Sequence, residues 1–194
     1  MDPKQKIQDK WFQEAKKNGW RSRAAYKLKQ IDEKKKILQN KMFILDLGAA
    51  PGSWMQVASK KVGPDGKVVG IDINPINKGL PKNTTTIIGD FLDYSLKEIT
   101  DQARISYKKF DMVLSDMAPS TTGHSSTDHF RSANLVENVL IKIPSLLKQN
   151  GCSIIKIFEG ERTGELFQNA KKLFKKVKIM KPPFPKYHQI LFYV

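Results

Sequence analysis

Apolar and polar positions along this chain alternate between a strand period and a helix period. Short apolar runs at Met42-Phe43-Ile44-Leu45, Lys67–Asp72, Phe110–Ser115 and Cys152–Phe158, with the β-branched run Thr84–Ile88, predict strands, those with near-continuous apolar residues being buried on both faces. Helical spacing lies between them. Residues 7–17 carry Ile7, Trp11 and Phe12 and stop at Asn18-Gly19, and a second helix begins with Ser22 as N-cap and sets Ala24, Lys27, Leu28 and Ile31 near one face. Ser53 caps a helix through Met55, Val57 and Ala58. Asp128 opens the longest helix, in which Leu135, Val136, Val139, Leu140, Ile143, Leu146 and Leu147 recur until Asn150-Gly151. Gly164–Lys175 is a further helix, and Val177–Met180 and Gln189–Val194 read as a closing pair of strands. Strands alternating with helices predict an α/β fold, doubly wound around a mostly parallel sheet. At 194 residues the chain suits one domain, with 1–41 as a helical extension packed on it.

The turn between the first strand and its helix, Asp46-Leu-Gly48-Ala-Ala50-Pro51-Gly52-Ser-Trp54, contains only small residues between Leu47 and Trp54. Glycines there let backbone approach a ligand closely. Asp72 follows Gly52 by 20 residues at the end of the second strand, where a carboxylate accepts hydrogen bonds from ribose hydroxyls. The pair points to an adenosine-type cofactor. The glycine spacing is not Gly-x-Gly-x-x-Gly, which disfavours a nicotinamide dinucleotide, and Asp-x-Gly-x-x-x-Gly resembles the first motif of S-adenosylmethionine (SAM) methyltransferases. Asp90, after the third strand, is placed to meet an adenine amino group, and a turn or cap role is equally open. Asp116 lies where the fourth strand ends and points toward a reacting centre. Lys156 interrupts an apolar strand, where an unpaired ammonium costs several kcal/mol on the order of a buried ion. Lys27 alone reads as a snorkelling lysine.

Charge changes the picture by its distribution. The net charge is +15, yet residues 42–170 carry 14 basic and 14 acidic side chains. Residues 1–41 hold 13 basic against 5 acidic, and Leu166–Val194 holds seven lysines and no acid. A balanced core with basic ends suits a polyanion partner. A single cysteine, Cys152, excludes disulfides within the chain and thiolate metal clusters, and His124 and His129 beside the Ser120–Thr127 loop have no second ligand group, so no metal is expected. No apolar run reaches the length of a membrane span and no signal peptide is visible, so a soluble intracellular protein, in cytoplasm or nucleus by default, is expected.

Five motifs in order carry a resemblance over residues 19 to 181: Arg21-Ser-Arg-Ala-Ala-Tyr-Lys27-Leu, Asp46–Trp54, Gly89-Asp-Phe91, Ser115-Asp-Met-Ala-Pro119 and Lys156-Ile-Phe-Glu-Gly160. The chain resembles the FtsJ/RrmJ family of SAM-dependent RNA 2′-O-ribose methyltransferases. The resemblance implies a seven-stranded Rossmann-like sheet with helices on both faces and a Lys-Asp-Lys-Glu catalytic set, whose first three positions fall on Lys27, Asp116 and Lys156. It also implies a SAM pocket lined by Gly48, Ala50, Pro51, Gly52, Trp54, Asp72, Ile73, Asp90, Phe91 and Asp116. The implied substrate is ribosomal RNA of the large subunit, presented in a ribosomal particle to a monomeric enzyme whose basic ends hold it. Relatives acting on tRNA or mRNA caps keep those substrates open, as does a SAM- and RNA-binding assembly factor with weak catalysis. The chain departs from the family twice. Ser53 replaces the second glycine of Pro-Gly-Gly-Trp. The family's glutamate falls where this chain reads Pro182-Pro-Phe-Pro-Lys-Tyr-His188-Gln189, with no glutamate, so reduced or altered activity is expected.

Overall fold

The computed structural model describes residues 11–76, 79–106 and 108–180, and the backbone of 189–193. The strands are β1 (Phe43–Leu47), β2 (Lys67–Asp72), β3 (Thr84–Ile88), β4 (Phe110–Ser115), β5 (Leu147–Phe158), β6 (Lys178–Met180) and β7 (Gln189–Tyr193). The helices are α1 (Ala24–Lys35), α2 (Ser53–Val62), α3 (Leu96–Gln102), α4 (Ser125–Leu146) and α5 (Thr163–Leu173), preceded by a helical stretch at 11–17. The sheet runs β3-β2-β1-β4-β5-β7-β6. β1 to β5 are mutually parallel, and β7 is antiparallel to both β5 and β6. This is an α/β, Rossmann-like arrangement.

Two apolar layers sandwich the sheet. Ile44, Val68, Met112, Leu114 and Ile154 pack against Ala25, Leu28 and Ile31 of α1 and Met55, Ala58 and Val62 of α2. Leu45, Val69, Val113, Ile155 and Ile157 face α3, α4 and α5 on the other side. Strand side chains alternate faces, so Asp46 follows Ile44, Asp116 follows Leu114 and Lys156 follows Ile154 onto the α1–α2 side. The pairings Leu47↔Ser115↔Ile155 bring Asp116 and Lys156 level. Strand order reverses between β1 and β4, which opens a crevice at their carboxyl ends.

Several boundaries differ from the sequence expectation. Ser22 does not cap α1 as its N-cap; Arg23 holds that position without a side-chain bond, while the Ser22 hydroxyl accepts from Ala24 N (3.2 Å). Gly52 occupies the N-cap of α2 at φ +97°, and Ser53 is its first residue. α4 begins three residues before Asp128 and ends at Leu146, so Asn150-Gly151 falls inside β5 rather than closing the helix. Pro144 sits inside the last turn of α4, and the Leu147 N–H still bonds the Ile143 carbonyl. Sequence reading passed over α3, although Ser95 and Glu98 form a reciprocal capping box that was legible as Ser-x-x-Glu. Residues 7–10 and His188 lie outside the described residues. Among those described, no helix is long and apolar enough to cross a membrane.

Candidate active site

The loop after β1 is bound almost entirely by its own neighbours. Gly48 N and Ala49 N donate to the Ile71 carbonyl (2.9 and 3.2 Å), Ala50 N donates to Asp72 Oδ2 (2.9 Å), and Gly52 N donates to the Ala49 carbonyl (2.6 Å). These amides are therefore not arrayed to cradle a pyrophosphate, in line with the glycine spacing that disfavours a dinucleotide. Gly48 adopts φ +72°, and a Cβ there would run into the Met117 side chain of the loop after β4. Only glycine lets the β1 and β4 loops approach this closely.

Beside this contact lies a cavity of about 370 Å³, bordered by Gly48, Ala50, Asp72, Ile73, Asp90, Phe91 and Asp116 among others. That size is ordinary for a small-ligand site. Asp72 enters it with its carboxylate engaged by Ala50 N and by Asn74 N (2.8 Å) and Nδ2 (3.2 Å), so it shapes the loop while keeping lone pairs toward the cavity. Asp90 Oδ1 accepts from Leu92 N (3.0 Å) and caps the short turn 91–93, so the capping role left open by the sequence is realised on the rim of the same cavity. Ile73 is 70% exposed there and offers an apolar edge. Pro51 and Trp54 border a smaller recess next to it, about 20 Å³, with Asp46 and Asp116. Gly52 borders neither; a Cβ on it would meet Leu80, Ile76 and Arg21 at 3.0–3.3 Å, on the outer side of the loop.

Asp116 borders both spaces and is the centre of a charged trio. Asp116 Oδ1 is 3.4 Å from Lys27 Nζ and 3.1 Å from Lys156 Nζ. Lys156 Nζ also donates to the Asp116 carbonyl. Lys156 is 5% exposed, Lys27 and Asp116 16% each. Burial by itself would raise Asp116, but Lys27 and Lys156 outweigh it and hold the carboxyl below the usual carboxylate range. Lys156 is pulled below an ordinary lysine, chiefly by burial and further by Lys27, with Asp116 opposing. The three sequence candidates from α1, β4 and β5 are thus brought together.

Asp46 is a site residue that sequence reading left without a role. It is 1% exposed, and among the described residues neither carboxylate oxygen has a hydrogen-bond partner. Burial first, then Asp116 and Asp72, raises its pKa well above the ordinary value. Its signal in the sequence is a carboxylate inside an apolar strand, the same pattern that marks Lys156. A buried acceptor of this kind at the wall of a recess suits a cationic ligand group, and the ammonium of SAM is one. With Gly48 and Asp72 shaping the adenosine end, the residues present fit SAM.

Helix α2 also anchors the basic N-terminal segment. Ser53 Oγ pairs with Ser22 Oγ (2.8 Å), Trp54 Nε1 donates to the Ala24 carbonyl (2.9 Å), Gln56 Oε1 accepts from Arg21 N (2.9 Å), and Gln56 Nε2 donates to the Gly19 carbonyl (3.2 Å). The Ser53 departure thereby adds a bond between the cofactor loop and the strip that carries Lys27. Trp54 is 3% exposed and serves this anchoring as much as the recess. Gln56→Ala is expected to cost about 1 kcal/mol and to strip hydrogen-exchange protection from the Arg21 amide; retained protection would mean that other contacts hold the strip. On the far side, Asp128 is buried and accepts from Thr122 N (2.7 Å), Thr122 Oγ1 (2.9 Å) and Gly123 N (3.3 Å), which ties the Ser/Thr loop to the first turn of α4. His129 bridges the Phe158 carbonyl and Arg162 N (2.7 and 2.9 Å), so it is a structural tie rather than a metal ligand. Gln189, nearest the family's missing glutamate, pairs in register with Phe158, two residues past Lys156.

Residues 20–190 match the family described as FtsJ-like methyltransferase. The chain is 42% identical over 176 residues to the "Ribosomal RNA large subunit methyltransferase E" of Syntrophobacter fumaroxidans, covering 91% of this chain and 88% of that protein. It is 43% identical over 175 residues to the protein of the same name from Methanothermobacter thermautotrophicus, covering 90% and 82%. Among solved structures, a putative ribosomal RNA methyltransferase from Plasmodium falciparum superposes with TM-score 0.76 at 28% identity, over 90% of this chain and 96% of that one. Aeropyrum pernix fibrillarin, solved with SAM, shares the fold with TM-score 0.55 at 19% identity, over 81% of this chain and 68% of that one.

Proposed function

This chain belongs to the FtsJ-like methyltransferase family and is a SAM-dependent ribosomal RNA methyltransferase, and on that premise we propose that it methylates a ribose 2′-hydroxyl of large-subunit RNA. The observation that supports the choice of atom is the Lys27–Asp116–Lys156 trio, whose Asp116 borders the cofactor cavity. A ribose hydroxyl is a weak nucleophile, so its proton must be taken as the new bond forms. SAM, when bound, supplies an electrophilic methyl on sulfur that departs as a neutral thioether.

Lys156, in its neutral form, receives the hydroxyl proton on Nζ. Its lowered pKa raises the neutral fraction at working pH. Asp116 holds Lys156 Nζ and Lys27 Nζ at fixed distances and so orients the amine. Lys27 adds positive charge beside the reacting oxygen, which favours the developing alkoxide. When SAM is bound, Asp46 would accept its ammonium, Gly48 and Ala50 would line its middle, and Asp72, Ile73, Asp90 and Phe91 would border its adenosine. We read β6 and β7 as completing the family's seven-stranded sheet within one domain. The basic N-terminal and C-terminal segments grip RNA presented in a ribosomal particle, and the enzyme acts as a monomer.

The test is transfer of tritiated methyl from SAM to large-subunit particles, followed by alkaline digestion. Label in alkali-resistant dinucleotides is expected, because a 2′-O-methyl blocks cleavage at that phosphodiester. Label released as free nucleotides would place the methyl on a base and overturn the ribose assignment.

A further inference from the structure

At the opposite end of β5 from Lys156, a groove of about 620 Å³ opens between the end of α4, the start of β5 and the chain after α5. Cys152 lies four positions before Lys156, and Leu147 pairs with Phe110, six positions before Asp116, so roughly 13–20 Å separates the groove from the trio at about 3.3 Å per strand residue. No nucleotide held at Asp116 reaches it. Its rim carries Lys148, Lys172, Lys175 and Lys176.

These lysines are not equivalent. Lys148 is bound by Asp111 at 2.6 Å. Lys172 donates to the neutral Asn169 side chain (3.1 Å). Among the described residues, Lys172, Lys175 and Lys176 have no carboxylate within ion-pair distance. Lys172 lies in the last turn of α5 and also meets the negative end of that helix, whereas Lys175 and Lys176 lie beyond it. From Leu166 to Met180 the chain holds five lysines and no acid. A concave rim of unpaired ammonium groups beside the exposed amides of Gln149 and Asn150 matches a phosphodiester backbone, which offers charge for the lysines and sugar or phosphate oxygens for the amides.

We propose that this groove is a second RNA-backbone site, which holds a part of the folded substrate remote from the methylated nucleotide. The inference rests on the RNA methyltransferase reading above. It makes the enzyme a two-point gripper: the trio selects the ribose, and the groove reads only charge and shape. A short single strand fills the first point alone, whereas a folded RNA reaches both.

The experiment uses the triple variant Lys172→Gln, Lys175→Gln, Lys176→Gln, with a control of equal charge change at scattered positions outside the groove, Lys82→Gln, Lys97→Gln, Lys108→Gln. Affinity for isolated large-subunit ribosomal RNA is followed from low to high salt. Loss of three phosphate contacts makes the slope of log affinity against log salt shallower by about 2. KM for that RNA is expected to rise about tenfold, with kcat at saturating RNA and SAM affinity unchanged. A slope equal to wild type, or to the control triple, overturns the groove. If the wild-type enzyme itself places no methyl on ribose, the functional reading fails instead, and the two failures are distinct.

Discussion

Lys156→Met should slow methyl transfer by about 10²–10⁴-fold, the usual range for removing a general base, while leaving SAM affinity unchanged. The side chain is buried beside Asp116, and methionine keeps much of its volume without a titratable group. Rate should rise with pH as Lys156 loses its proton, with a midpoint below that of an ordinary lysine. The neighbours give the sign. Lys27 lowers the Lys156 pKa, so Lys27→Met removes that push and moves the midpoint to higher pH. Asp116 raises it, so Asp116→Asn moves the midpoint to lower pH. Opposite displacements in two neutralising variants are not produced by general damage to the fold. A wild-type rate in Lys156→Met would place the base elsewhere.

The second large effect concerns Asp46, where function and stability oppose each other. Its folded pKa lies well above the unfolded value of about 3.9. The unfolded chain therefore ionises first, and the fold loses stability as pH rises from the unfolded value to the folded one, then stays at that lower level. Asp46→Asn removes this loss. The variant without cofactor should be more stable at neutral pH by about 1–3 kcal/mol, or about 2–4 °C in Tm for each kcal/mol. The gain should vanish below about pH 4, where wild-type Asp46 is protonated in both states. The same variant should bind SAM about 10–100-fold more weakly, the worth of a hydrogen bond to a charged group. Calorimetry and thermal melts across pH read both. A variant that is less stable at neutral pH and binds SAM as wild type does would make Asp46 a structural residue.

Local pattern carried much of this. The apolar runs before Gly48, Asp72 and Asp116 marked three strands by their continuity, because a strand buried on both faces tolerates few polar residues, and β-branching marked the edge strand before Asp90. Lys156 stood out for the same reason, and its burial agrees with that reading. Errors fell where a local signal competed with a distant partner. Ser22 and Ser53 both look like caps, but their hydroxyls find each other across 31 residues. Asn150-Gly151 looks like a helix stop, but α4 ends at Leu146 and the strand begins at once. Asp46 was passed over because a carboxylate inside a recognised motif raised no question of its own.

Residue order alone therefore determined the strand–helix alternation, the small-residue turn, the acids that end the strands and the basic ends around a balanced core, since each is written in near-neighbour chemistry. Only the tertiary structure decided that Lys27, Asp116 and Lys156, 89 and 40 positions apart, meet within 3.4 Å, that Asp46 has no hydrogen-bond partner among the described residues, and that unpaired lysines rim a groove at the far end of β5. Those facts depend on strand order and register, which are set by how the two apolar layers pack across the whole chain.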